Sequence, residues 1–169
     1  IGIGTAGGFT DAPKYIVDSH LAPLVEGADP MDRELLWAKM YRSTVRFGQS
    51  GAVMAAISAV DIACWDLVGK SLGVPVTDLL GGATKSRVRA YASHLYALKD
   101  PEALAREAAS YREAGFTMVK QRFGFGPSDG VDGMRKNLDL VRVVRDAIGE
   151  DIELAVEAYM GWDVPYAIE

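Results

Sequence analysis

Lys120 and Arg122 stand two residues apart in the run Val119-Lys120-Gln121-Arg122. On an extended strand that spacing puts both side chains on one face, and two cations on one face call for an anion between or beyond them. Such a pair could bind a carboxylate and move a proton, with Arg122 depressing the pKa of Lys120 by like-charge repulsion until Lys120 acts as a base. The plainer alternative, a strand end protruding into solvent, stays open.

A second candidate follows at Val156-Glu157-Ala158-Tyr159. Glu157 shares a strand face with Glu153 and Ala155, and a carboxylate at the top of a buried strand is costly unless it is paired or bound to a metal. Mg²⁺ takes several oxygen ligands, and the sequence offers one at a plausible position, so a salt bridge is the competing reading for Glu157. Ser93-His94 completes the set: His94 is the histidine nearest these strand ends, whereas His20 falls in a helical segment and reads as a surface or partly buried residue. The glycine-rich stretch Gly124 to Gly130 follows a strand and precedes a helix, but it lacks dinucleotide spacing and a Gly-Lys-Ser/Thr end, and Pro127 removes an N–H. It reads as a turn edging the site.

These residues need a scaffold that brings strand ends together. From Val88 the hydrophobic period alternates between two and 3.6: a strand at 88–93, a helix capped by Asp100-Pro101 and closed by Gly115, a strand at 117–123, a helix at 131–148, a strand at 152–158 and a helix begun at Asp163. That repetition predicts βαβ units on a parallel sheet, in which reactive groups gather at the carboxyl ends of the strands. An eightfold barrel takes about 250 residues, and the chain from Val88 onward holds two units and the start of a third. The remainder of any barrel is expected outside this sequence.

Before Val88 the pattern is helical. Pro13 opens one helix with Tyr15, Ile16, Val17 and Leu21; Asp29-Pro30 opens another through Leu35, Leu36, Trp37, Met40 and Tyr41; and 51–72 forms the longest run, ended by Gly73 and Pro75. The opening Ile1 to Gly8 reads as a strand end running into a glycine-rich loop, as of a chain joined midway.

Composition limits the function classes. The 169 residues are 49% apolar and 24% charged, which excludes disorder and low-complexity classes. A net charge of -5 and a pI near 5.1 have the wrong sign for holding nucleic acid or anionic lipid. The single cysteine, Cys64, lies in an apolar stretch with no adjacent cation and is expected to be buried and inert. No unbroken run of eighteen apolar residues and no charged-then-apolar leader occurs, so the expected setting is cytoplasmic, without membrane partners.

The run Ala59-Val60-Asp61-Ile62-Ala63-Cys64-Trp65-Asp66-Leu67-Val68-Gly69-Lys70, followed by Leu72-Gly73-Val74-Pro75 and Leu79-Leu80-Gly81-Gly82, resembles the helix leading into the barrel of the enolase superfamily, mandelate racemase/muconate lactonizing enzyme-like subgroup. The resemblance continues through Tyr91-Ala92-Ser93-His94, Lys120-Gln121-Arg122 and Glu157, and back through Gly2-Ile3-Gly4. It implies an α/β chain: part of an α+β capping domain at 1–50, then at 51–169 the lead-in helix and the first three strands of a modified (β/α) barrel. It further implies Mg²⁺ with Glu157 as one metal ligand, Lys120 and Arg122 as catalytic residues, Ser93 and His94 as substrate contacts, a small carboxylate substrate and a homo-oligomer.

Two departures shape the expected reaction. Glu157 stands where the family commonly has Asp, and Arg122 where the usual second-strand base is Lys; a guanidinium is not deprotonated at neutral pH. Racemisation needs a base on each face of the α-carbon, whereas dehydration of a sugar acid needs one base and one leaving-group acid. The resemblance therefore implies an acid-sugar dehydratase, with a racemase, a cycloisomerase, an inactive piece or an anion-binding module as alternatives.

Overall fold

The computed structural model describes residues 1–7, 11–97 and 100–169. Gly8, the end of the expected glycine-rich loop, lies outside the described residues. The chain separates into two compact units, Ile1–Ser86 and Arg87–Glu169.

The first unit is helical. Helix α1 (Ala12–Ile16) continues through a π turn at Val17–Leu21 into α2 (Ala22–Val25), and a 3₁₀ turn at Pro30–Asp32 leads into α3 (Arg33–Thr44). Helix α4 (Gly51–Leu72) ends at Gly73, whose φ of 70° is the left-handed cap that glycine adopts without a Cβ clash, and α5 (Val76–Leu79) follows Pro75. Val53, Ala56 and Ile57 of α4 bury against Leu21 and Met40, so α4 packs with the preceding helices within the first compact unit.

Arg33 of α3 bonds Asp61 of α4 at 3.2 Å and lies over the Trp65 ring at 4.0 Å. Cys64 is buried, as expected, and burial pushes its thiol pKa up. By length and composition α4 is apolar enough to cross a membrane, and 22% of its apolar window is buried; Asp61 and Asp66 interrupt its apolar run.

The opening segment carries no strand. It lies against α4 instead: a Cβ on Gly2 would fall 2.1 Å from the Ala63 carbonyl oxygen and one on Gly4 1.8 Å from that of Ala59. The Ile3 amide donates to Asp66 Oδ2 at 2.8 Å. Small residues four apart on the helix and glycines two apart on the segment allow that approach.

The second unit is α/β, with a parallel three-stranded sheet in the order β1 (Ala92–Tyr96), β2 (Met118–Arg122), β3 (Glu153–Glu157). Helices α6 (Pro101–Glu113) and α7 (Gly130–Ile148) connect the strands, and α8 (Val164–Ile168) follows β3. Asp100 and Asp163 accept from the amides of Ala103 and Tyr166, the caps their positions predict. Ala92, Leu95, Leu104, Ala108, Val119, Leu140, Val144 and Ile148 form the core. The side chains between them on β2 and β3, Lys120 and Arg122 with Ala155 and Glu157, therefore look out from the opposite face of the sheet.

The first strand is displaced from its expected place. Residues 88–93 alternate in polarity, yet the strand is 92–96 and Val88 is 81% exposed. A register irregularity between Ala92 and Leu95 breaks the two-residue period. In the preceding stretch Arg89 donates to the Thr117 carbonyl at 3.3 Å and to Glu153 Oε1 at 2.8 Å.

Candidate functional site

In the parallel register Lys120 stands opposite Ala155 and Arg122 opposite Glu157. The three charged side chains converge: Lys120 Nζ forms an ion pair with Glu157 Oε2, and Arg122 Nε lies 3.9 Å from the same oxygen. Lys120 is 18%, Arg122 12% and Glu157 34% exposed. Glu157 joins the face that strand spacing assigned to Lys120 and Arg122 together, and that expectation is met.

The expected depression of the Lys120 pKa is not. The hydrogen bond that Lys120 donates to Glu157 holds the Lys120 pKa above its ordinary range and outweighs both burial and the repulsion of Arg122. The same bond, aided by both cations, holds the Glu157 carboxyl below its ordinary range. In this arrangement Lys120 is an ammonium and Glu157 a carboxylate. The sequence reading counted the like charge two residues away but not the opposite charge one strand over.

Arg122 is anchored on three sides. Nη1 donates to the Ser93 carbonyl at 2.8 Å and Nη2 to Ser93 Oγ at 2.9 Å. Its guanidinium carbon lies 4.5 Å from the centre of the Tyr96 ring and 5.5 Å from that of Tyr159. Ser93 therefore joins the site through Arg122.

His94 does not join it. The irregular register of β1 turns it toward α6, where Nδ1 is 4.0 Å from Glu107 Oε1, and the side chain is 70% exposed. Its ring meets Tyr96 edge-on at 6.0 Å. His20 packs in the helical unit against Phe47 and Tyr15. The 124–130 stretch forms a turn, with Asp129 Oδ2 accepting from the Gly126 amide at 2.8 Å.

Three tyrosines complete the site. Tyr91 lies 5.6 Å from Lys120 Nζ, and Tyr96 and Tyr159 flank Arg122. Tyr96 fell outside the strand expected from alternation. Tyr159 carried a signal no pattern search reads: it and Met160 have φ of 50° and 60°, a left-handed conformation that costs a bulky residue free energy and tends to occur at functional sites.

As a metal site the donor type fits and the number does not. Glu157 offers one hard oxygen ligand of the kind Mg²⁺ prefers. Glu153, on the same face, is tied to Arg89. Among the described residues no group of three or more His, Cys, Asp or Glu could hold a metal ion. Glu157 fits as one ligand of a site completed by others.

Residues 1–81 match the mandelate racemase/muconate lactonizing enzyme N-terminal domain, and residues 103–169 the enolase C-terminal domain-like family. The L-rhamnonate dehydratase of Saccharopolyspora erythraea is 37% identical over 167 residues, spanning 99% of this chain and 39% of that protein. The crystal structure of the 3,6-anhydro-D-galactonate cycloisomerase from Zobellia galactanivorans superposes with a TM-score of 0.86 at 34% identity, covering 99% of this chain and 44% of that one. Rhamnonate dehydratase from Gibberella zeae, complexed with Mg, gives 0.72 at 37% identity over 92% of this chain and 36% of its own. The chain thus spans about two fifths of the length of the relatives it matches. Two family matches in tandem, with relatives aligned along 99% of its length, place this chain in the mandelate racemase/muconate lactonizing enzyme-like group of the enolase superfamily, whose N-terminal part it represents.

Proposed function

We propose that the protein carrying this chain is a Mg²⁺-dependent acid-sugar dehydratase, a carbon–oxygen lyase that removes the proton α to a carboxylate and expels the neighbouring hydroxyl as water. The observation that carries the reading is the convergence of Lys120, Arg122 and Glu157 at adjacent strand ends, together with relatives named as dehydratases of a sugar acid. Loss of the α-proton leaves an enediolate, and its negative charge must be met where it forms.

Lys120 and Arg122 are the catalytic residues of this chain in that reading. Both hold positive charge toward one face, Lys120 as an ammonium on a flexible stem and Arg122 as a fixed guanidinium. Lys120 is paired with Glu157 while no metal is bound, and it would be released toward the substrate once Glu157 takes up Mg²⁺. Glu157 would hold Mg²⁺ through its carboxylate. When bound, Mg²⁺ supplies a Lewis acid for the substrate carboxylate. Ser93 serves the substrate indirectly through Arg122, and His94 has an exposed position from which a long substrate could be touched.

The reading carries with it a small carboxylate partner, a (β/α) barrel completed by further strands behind a capping domain, a homo-oligomer without nucleic-acid or membrane partners, and a cytoplasmic setting. The likeness to the cycloisomerase favours a second reading, in which the same α-proton is lost but the β-carbon–oxygen bond that breaks belongs to a ring, so the leaving oxygen stays in the molecule as a hydroxyl.

The test incubates the intact, Mg²⁺-loaded protein in D₂O with a panel of sugar acids, following keto-acid formation and deuterium at the α-carbon. Dehydration without epimerised substrate is the expected result. Rapid epimerisation would point to a second base and a racemase, an isomeric product of unchanged mass to a cycloisomerase, and anion binding without turnover to a non-catalytic module.

A further inference from the structure

Arg122 has an attachment that its role as a charge near Glu157 leaves unexplained. Its Nη1 and Nη2 each commit a hydrogen to Ser93, so β1 engages the far end of the guanidinium and leaves the buried Nε–H, which has no hydrogen-bond partner, beside Glu157. Glu157 does not fix it, since 3.9 Å from Nε to Oε2 is beyond hydrogen-bond length. The remaining neighbours are the ring faces of Tyr96 at 4.5 Å and Tyr159 at 5.5 Å. Both are within the distance at which a guanidinium is drawn to an aromatic quadrupole.

These rings come from different strand ends, and one is held in a backbone conformation that tyrosine seldom adopts: Tyr159 has φ of 50° and is followed by Met160 at 60°. Neither ring is a core residue, Tyr96 and Tyr159 both being exposed. Core packing therefore does not account for their placement. A cation beside Glu157 loses attraction whenever that carboxylate's charge is taken up by another partner, whereas the attraction of a ring face does not depend on Glu157.

We propose that Tyr96 and Tyr159 are positioning residues that clamp the Arg122 guanidinium by their ring faces, holding it as a fixed positive charge beside Glu157 when the carboxylate is engaged elsewhere. The clamp makes Arg122 a preset stabiliser of developing negative charge rather than a mobile gripper of the ground-state carboxylate. Its kinetic consequence rests on the acid-sugar lyase reading above; its structural consequence does not.

The experiment uses the intact Mg²⁺-loaded protein and four variants: Tyr96→Phe, Tyr159→Phe, Tyr96→Leu and Tyr159→Leu. The Phe variants keep a ring face and lose only the hydroxyl. Each Leu variant is expected to lower kcat by about two- to fivefold, the equivalent of one exposed cation–π contact, with KM nearly unchanged, while each Phe variant stays at the wild-type value.

Independently of turnover, the Nε–Hε resonance of Arg122, assigned with Arg122→Lys, is expected to show a ring-current shift that the Phe variants retain and the Leu variants reduce. A resonance unmoved in both Leu variants would overturn the clamp, as would Phe variants that behave like the Leu ones, since the hydroxyls would then be the active groups. A rise in KM at constant kcat would overturn the preset-charge role. If wild type turns over no sugar acid, the dehydratase reading falls and the resonance still decides the clamp. If a Leu variant fails to fold, its Phe counterpart and the resonance decide.

Discussion

Glu157 stands opposite Arg122 in the β2–β3 register, yet its carboxylate pairs with Lys120, the diagonal neighbour. The long lysine stem spans the diagonal, while Arg122 is drawn the other way to Ser93. One carboxylate thus sits between two cations of different mobility. Lys120 can follow a substrate or leave when Glu157 takes another partner, and Arg122 cannot.

This pair sets a pH dependence whose sign follows from the two shifts. The Lys120 pKa is raised above its ordinary 10.5, so its contribution is present below that value and is lost as pH rises through the raised one. The Glu157 pKa is lowered below its ordinary 4.5, so its contribution is present above that value and is lost as pH falls through the lowered one. Metal-free wild type is expected to melt higher than Lys120→Met between these limits, with the gap closing at both ends. Melting temperature against pH for the two proteins checks this, and a gap that persists in acid would remove Glu157 as the partner.

The opening segment gives a prediction independent of the site. A methyl group on Gly4 would overlap the Ala59 carbonyl, so Gly4→Ala should cost about 1–3 kcal/mol, the usual range for overpacking. Gly7, where added atoms would meet nothing within 4 Å, should tolerate Ala within about 0.5 kcal/mol. Denaturant melts of both variants, with amide exchange at Ile3 to report lifting of the segment from α4, make the comparison.

The location of β1 can be tested by a pair of truncations. Leu95 is fully buried and Val88 is exposed. Leu95→Ala should therefore destabilise by about 2–5 kcal/mol, and Val88→Ala by no more than about 0.5 kcal/mol. The reverse order would restore the strand to residues 88–93.

That pair also shows where sequence reasoning stops. The helices at 51–72 and 101–113 and the strands at 118–122 and 153–157 were legible because their apolar periods are regular and their ends carry Gly, Pro or Asp. Strand β1 was not, because one irregular step moves Leu95 onto the core face and shifts the apparent alternation toward the amino terminus. That Glu157 meets Lys120 and Arg122 follows from the β2–β3 register, while the sharing of one face by the two cations followed from strand parity. The sign of the Lys120 shift did not, because it depends on a carboxylate thirty-seven residues away reaching across a diagonal, a distance no local spacing encodes. Tyr96 and Tyr159 were missed for a related reason: aromatic residues at strand ends are common, and only the fold decides which of them face a cation.

The final prediction separates the charge of Arg122 from its geometry. Arg122→Lys keeps a positive charge on β2, but an ammonium cannot reach the Ser93 carbonyl and Oγ from the fixed planar fork that Nη1 and Nη2 provide. Ser93→Ala removes only the hydroxyl acceptor and leaves the carbonyl bond in place. If fixed geometry matters more than charge, turnover of a sugar acid by the intact protein should fall by about tenfold or more in Arg122→Lys and by less in Ser93→Ala, since one hydrogen bond to a charged group is worth about 1.5–3 kcal/mol when removed outright and less when a neighbouring acceptor remains. Steady-state kcat for both variants, with melting curves to confirm that each is folded, gives the order. Equal losses would show that Ser93 Oγ is the decisive anchor, and an Arg122→Lys variant as active as wild type would show that any cation at this strand end suffices.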